Sequence, residues 1–258
     1  MHRSGKSLAR RLNFDGQQPS YYGVARAEAT PMKAGSFVGD TRLGGSCNAS
    51  TLTLNPHCHG THTECIGHVV DRRLHALDVI PSALLKAKLV SLRSVAASRC
   101  TEQLAAATQP GDRVLTLAAL HDALDETHPI EALIIRTRPN PLTKRTQQYT
   151  DSGDYPFFTR TAVDWMVEQD IQHLLIDTPS LDRLDDQGAL ELHRRFWRLP
   201  QSGGRLGRQS RRKATITEMI YVENKISDGD YLLALQPAPF SGDATPSNPT
   251  IFPPSTEL

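Results

Sequence analysis

Residues 161–180, TAVDWMVEQDIQHLLIDTPS, set the fold class. In the first half Ala162, Trp165 and Met166 recur at three- and four-residue spacing while Asp164 and Glu168 share the polar side. That pattern predicts an amphipathic helix over Thr161–Gln169. The apolar run in QHLLIDTPS that follows is short and closed by a Thr-Pro turn, so it reads as a strand. Working outward, Ala87–Arg93 and Glu131–Thr137 read as further strands, and Leu115–Leu124 as a helix. Gln187–Trp197 is a second helical stretch and holds His193. Ser50–Pro56 (STLTLNP) alternates Leu with small polar residues, the mark of a half-buried strand. ATITEMIYVEN and YLLALQP are two late strand signals separated by a Ser-Asp-Gly-Asp turn. Gln201–Arg212 reads as an exposed loop, and the Pro-, Ser- and Thr-rich tail from Ser241 as extended chain. Strands and helices that alternate in this way predict a single α/β domain, with a central mixed β-sheet flanked by helices.

Composition narrows the function classes. In 258 residues, 38% hydrophobic and 22% charged, there is enough apolar surface for a real core, which excludes a disordered chain. A mean hydropathy of −0.40 and the lack of a long apolar run exclude a membrane span. Cys47, Cys58, Cys65 and Cys100 are too few for a disulfide framework, and the basic N-terminal MHRSGKSLARRLNFDG lacks the apolar segment of a secretory signal. A cytoplasmic protein is expected. The formal charge of +1 is a cancellation, because eight of the 29 basic residues lie in 194–213, where no acid occurs. The remainder sets 21 basic groups against 28 acidic ones, about −7. Phe196 and Trp197 are the only aromatics in that basic stretch, so it reads as a solvated loop, next as a cover for an anionic substrate, and last as a nucleic-acid contact.

The chemistry concentrates in Asn55–Val69, NPHCHGTHTECIGHV. His57, His59, His62 and His68 place four of the ten histidines within twelve residues, with Cys58, Glu64 and Cys65 among them. Imidazoles and a carboxylate at this density are the ligand mix of a borderline divalent ion, zinc first and manganese second, as one ion or two. On an extended backbone alternate residues share a face, so His62 and Glu64 project together. His57 and His59 have the opposite parity, and Gly60 can supply the kink that brings one of them round. Separately hydrogen-bonded histidines are the plainer reading, and the cluster's density argues against it.

The run Gly60-Thr61-His62-Thr63-Glu64 with His68 resembles the signature of the cyclase/kynurenine formamidase family, H-x-G-T-H-x-D-x-P-x-H. Asp177-Thr178-Pro179-Ser180-Leu181-Asp182, His193 and Tyr221-Val222-Glu223-Asn224 resemble three later family segments in the same order. The resemblance covers about residues 50–240. It implies a cyclase-like metal-dependent hydrolase over 35–258, preceded by an N-terminal extension, 1–34, with 194–213 as a basic loop insertion. It also implies that His62, Glu64, His193 and Glu223 are metal ligands and His68 the acid/base histidine. Cys58 stands where the family has its first histidine, so Cys58, His57 or His59 completes the set. Glu64 replaces an Asp, and Ile66 a Pro.

The implied activity is hydrolysis of an amide, cyclic amide or ester by metal-bound hydroxide, as in an arylformamidase of tryptophan catabolism that converts N-formylkynurenine to kynurenine and formate. The expected partners are an anionic or aromatic small-molecule substrate and a second copy of the chain, with neither nucleic acid nor membrane. A non-catalytic metal-binding or regulatory member of the fold is the alternative. Asp177 and Asp182 are candidates for orienting a ligating histidine, although Asp is common at turns. Tyr21 and Tyr22 are expected to pack.

Overall fold

The computed structural model describes residues 4–124 and 130–254. Nine strands form one sheet: Lys6–Ser7 (β1), His62–Cys65 (β2), Leu85–Arg93 (β3), Ala132–Arg138 (β4), His173–Ile176 (β5), Thr215–Glu218 (β6), Gly229–Ala234 (β7), Ala244–Pro246 (β8) and Thr250–Phe252 (β9). Their spatial order is β1-β9-β7-β3-β4-β5-β6-β2-β8. The middle four, β3 to β6, run parallel to one another, and antiparallel strands extend the sheet on both sides.

The parallel strands are apolar on both faces because both faces are covered. On one, Val90, Leu92, Leu133, Ile135, Leu174, Ile176 and Ile216 pack under the helices. On the other, Leu89, Ile134 and Leu175 meet Leu8, Ile220, Val222 and Leu233. Each such side chain contributes about 1.5–3 kcal/mol of burial. Three helices, Leu117–Ala123 (α1), Arg160–Glu168 (α2) and Glu191–Phe196 (α3), cover the first face. Thr116 and Thr159 cap α1 and α2 by accepting from the Ala119 and Ala162 N–H groups, each at 3.1 Å. α3 starts differently. Leu190 is left-handed at φ 46°, and the carboxylate of Asp182 takes the N–H groups of Leu192 and His193 in place of a cap side chain.

Three sequence expectations change. Ser50–Thr53 forms a strand, but it pairs only with Glu28–Pro31 and is exposed along its whole length. The tail from Ser241 supplies two strands of the main sheet. The N-terminal segment is joined to the main sheet, with Leu8 fully buried and β1 paired with β9. The strand expected across 214–224 ends at Glu218, because Met219 turns left-handed at φ 54° and sends Ile220–Asn224 elsewhere. The exposed loop at 201–212 is found as expected, apart from the buried Arg211. No helix among the described residues is long and apolar enough to cross a membrane.

Candidate metal centre

β2 lies between β6 and β8, with Glu64 opposite Ile216 and His62 opposite Glu218. Alternation then puts His62, Glu64 and Glu218 on the helix-covered face, where α3 delivers His193. All four are buried, with at most 4% of any of them exposed. Glu64 is the hub. Its Oε1 is 3.1 Å from His193 Nε2, and its Oε2 is 3.1 Å from His57 Nδ1 and 3.9 Å from His68 Nε2. Glu218 reaches His62 Nε2 and His193 Nε2, each at 3.5 Å. Two ligand sets result, His57–Glu64–His68 at the half-buried mouth and His62–Glu64–Glu218 below it, with Glu64 in both.

Proton placement prepares these atoms for a cation. His62 Nδ1 donates to the Gly60 carbonyl at 3.0 Å and His193 Nδ1 to Asp182 Oδ2 at 2.6 Å. Each ring is thereby fixed with its Nε2 lone pair facing the carboxylates. His62 Nε2, His193 Nε2 and both Glu64 oxygens are buried without a hydrogen-bond partner, an arrangement that costs free energy unless a cation is shared between them. The donor set of imidazoles and carboxylates suits zinc or manganese chemically, so the residues present fit a divalent metal.

The charges agree. Burial works against the charged form of Glu64, but the nearby His68 and His193 outweigh it and hold the carboxyl well below its usual range. Burial and Glu64 push Glu218 up, and its contacts with His193 and His62 bring it below the ordinary value. Burial likewise opposes charge on His57, yet its contacts with Asp243 and Glu64 raise it to about 10. The carboxylates demand positive charge, which protons on the histidines or a metal can provide.

The turn at Asn55–His59 determines which neighbour of Gly60 faces the cluster. Asn55 Oδ1 accepts from the His57 N–H at 3.0 Å, and Gly60 is left-handed at φ 97°, so His57 swings into the mouth. His59 is buried but turned away from the cluster, and it spends both ring nitrogens on backbone, with Nδ1 taking the Asn55 N–H at 2.9 Å and Nε2 facing the Ala25 carbonyl at 2.8 Å. Cys58 belongs to neither ligand set, and burial followed by the charge of Glu218 pushes its thiol up to about 11, which keeps it protonated. Glu223 corrects the sequence reading. Past the Met219 turn its carboxylate pairs with Lys225 at 2.7 Å near the surface, and Glu218 takes the position expected of it.

Two contributors escaped the sequence reading. Glu218 sits inside an apolar strand, a signal that was available. Asp243 holds His57 Nε2 at 2.8 Å and His68 Nδ1 at 3.4 Å, and it lies in a tail whose composition gave no signal. Asp182 orients His193 as expected, whereas Asp177 instead accepts from the Thr137 N–H and Lys144 Nζ, each at 2.9 Å. Tyr21 approaches from the N-terminal segment. Tyr155 spends its proton on the Asp182 carbonyl at 2.9 Å, so Tyr21 is the donor in the 3.2 Å contact between the two phenols. Tyr22 points to solvent.

The family model described as Putative cyclase matches residues 12–183, a span that includes β2 and Asp182 and stops before His193 and Glu218. No curated protein matches the chain. Among solved structures, a predicted metal-dependent hydrolase from Bacillus stearothermophilus is similar over 98% of this chain and 99% of its own, at a TM-score of 0.61 and 14% identity. Isatin hydrolase A from Labrenzia aggregata, bound to benzyl benzoate, matches over 98% of this chain and 94% of its own, with a TM-score of 0.60 and 15% identity. Isatin hydrolase A from Ralstonia solanacearum matches over 97% and 92%, with a TM-score of 0.62 and 13% identity. At these identities the likeness is one of fold.

Proposed function

The chain belongs to the putative cyclase family, and from that premise we propose that it is a metal-dependent hydrolase of a carboxylic amide, a cyclic amide or an ester. The observation that carries this reading is the buried Glu64, whose unpartnered oxygens face His57 and His68 on one side and His193 on the other. His57, Glu64 and His68 would hold one ion, and His62, Glu64, Glu218 and His193 another. A divalent metal held there supplies Lewis acidity toward a carbonyl and an activated water at neutral pH.

The chain's own residues divide the remaining work. Asp182 and Gly60 fix the tautomers of His193 and His62, and Asp243 holds His57 and His68 in a stack with ring centroids 4.2 Å apart. With two ions His68 serves as a ligand. With the lower set alone filled, its Nε2 at the mouth is free to carry a proton to the departing amine or alcohol. Zinc is the first choice of metal, in a cytoplasmic homo-oligomer. N-formylkynurenine is the first substrate to try, and the fold shared with isatin hydrolases adds cyclic amides to the panel.

The test is turnover of N-formyl aromatic amines, lactams and lactones by protein of measured metal content. Release of formate or of a ring-opened acid should vanish on chelation and in His62→Ala. A fully metal-loaded protein inactive on the whole panel refutes the proposal and favours a non-catalytic, metal-binding member of the fold.

A further inference from the structure

The mouth of the ligand cluster, where His57, His68 and Asp243 are partly exposed, adjoins a cleft of about 480 Å³ between residues 67–75 and 241–243. Backbone hydrogen bonds fix its walls. The Cys65 N–H donates to the Asp243 carbonyl at 2.9 Å, and the Ala76 N–H to that of Gly242 at 2.8 Å. Gly67 is so tightly seated that a Cβ there would lie 2.6 Å from the Leu74 carbonyl oxygen and 3.2 Å from Asp243 Cβ. The cleft is therefore a built feature beside the cluster.

Its charges are unevenly committed. Asp243 is taken up by His57 and His68. Arg72 and Arg73 line the cleft and are exposed, and among the described residues neither guanidinium has a hydrogen-bond or ion-pair partner. The buried arginines behave differently, since Arg10, Arg136, Arg183 and Arg211 each donate to groups of the protein. Only Asp71 then stands against two uncommitted cations. His75 Nδ1, in the wall, is buried with no hydrogen-bond partner. A second cavity of about 150 Å³ is lined by Arg72, His75, Asp78 and Arg212. Three arginines of the basic stretch are committed to other partners. Arg194 binds the Ala189 and Gly203 carbonyls, Arg195 binds Asp164 and Glu191, and Arg211 binds the Phe196 carbonyl.

We infer that this cleft seats a carboxylate carried by the substrate away from its reacting bond, with Arg72 and Arg73 as the specificity-determining contacts. Guanidinium and carboxylate match in charge and in donor geometry, and two free guanidinium groups beside the ligand cluster reward a substrate with a second anionic end. The inference rests on the hydrolase reading for the word substrate, while its test reads binding.

The experiment is calorimetric titration of the zinc-loaded protein with benzoate and with the three benzenedicarboxylates. One carboxylate can meet the cluster, and the second probes the arginines. The best dicarboxylate should bind about tenfold more tightly than benzoate to the wild type. The advantage should fall to about twofold or less in R72Q/R73Q, with metal content unchanged. Arg208, an exposed residue of the basic stretch that lines neither cavity, provides the control. R208Q should keep the full preference. The inference is overturned if no dicarboxylate outbinds benzoate, or if the preference survives in R72Q/R73Q. Failure of the hydrolase reading would look different, with a dicarboxylate preference intact and no substrate of the panel turned over.

Discussion

Asp182→Asn tests the centre at a residue outside both ligand sets. In the wild type Oδ1 accepts from the Leu192 N–H at 2.8 Å, while Oδ2 accepts from His193 Nδ1 at 2.6 Å and from the His193 N–H at 3.2 Å. An amide has one oxygen for these three donors. If it stays on Leu192, the new NH2 group faces His193 Nδ1, which must accept and so carry its proton on Nε2. That proton would point at Glu64 Oε1, 3.1 Å away, where a metal needs a lone pair. If the amide flips, the N-terminus of α3 loses a bond to a charged acceptor, worth about 1.5–3 kcal/mol of stability. Loss of such an orienting carboxylate costs about 10–100-fold in metal affinity, or about 1.4–2.7 kcal/mol. Titration against a chelator of known affinity measures that loss, and denaturation of the metal-free protein reads the stability change separately. A folded D182N that binds metal within twofold of the wild type would refute the argument that the His193 tautomer is set here.

Further outcomes follow from the same geometry. Glu218→Gln should lower metal content and Glu223→Gln leave it unchanged, because only Glu218 faces His62 and His193; elemental analysis of the two purified variants distinguishes them. His173 is buried against Thr215 Oγ1 at 2.9 Å, and burial lowers its pKa to about 4. Since the folded state resists protonation, this histidine's contribution is intact above pH 6.5 and is lost as the pH falls toward 4. It amounts to about 3 kcal/mol. Denaturant midpoints of the wild type should drop over that window more than those of His173→Asn. Leu174→Ala, at a fully buried position under α2, should cost about 2–5 kcal/mol in a urea melt while leaving metal content intact.

What could be read from the sequence depended on whether a signal was local. Helix α2 and strands β3, β4 and β5 emerged from periodicity because their burial repeats along the chain. His62 and Glu64 could be paired because alternation on one strand is a local rule. Which flanking histidine faces them depends on the Asn55 turn, and a side-chain amide hydrogen bond inside a short turn leaves no periodic trace. Glu223 misled for a similar reason. The strand pattern runs on past Met219, and only the left-handed backbone there separates Glu218 in the cluster from Glu223 at the surface. Asp243 and the free Arg72 and Arg73 draw their meaning from segments some 170 residues apart, which one-dimensional spacing cannot bring together.

The pairing of β2 with β6 carries a further consequence. Thr63 and Thr217 bond to each other through their hydroxyls at 2.8 Å, and Thr63 also reaches Ser247 at 2.8 Å, on the face opposite His62, Glu64 and Glu218. A slip of one residue would exchange the two faces, sending the carboxylates to the hydroxyl side and threonines to the cluster. A metal held by His62, Glu64 and Glu218 would therefore report that β2 and β6 are paired in this register.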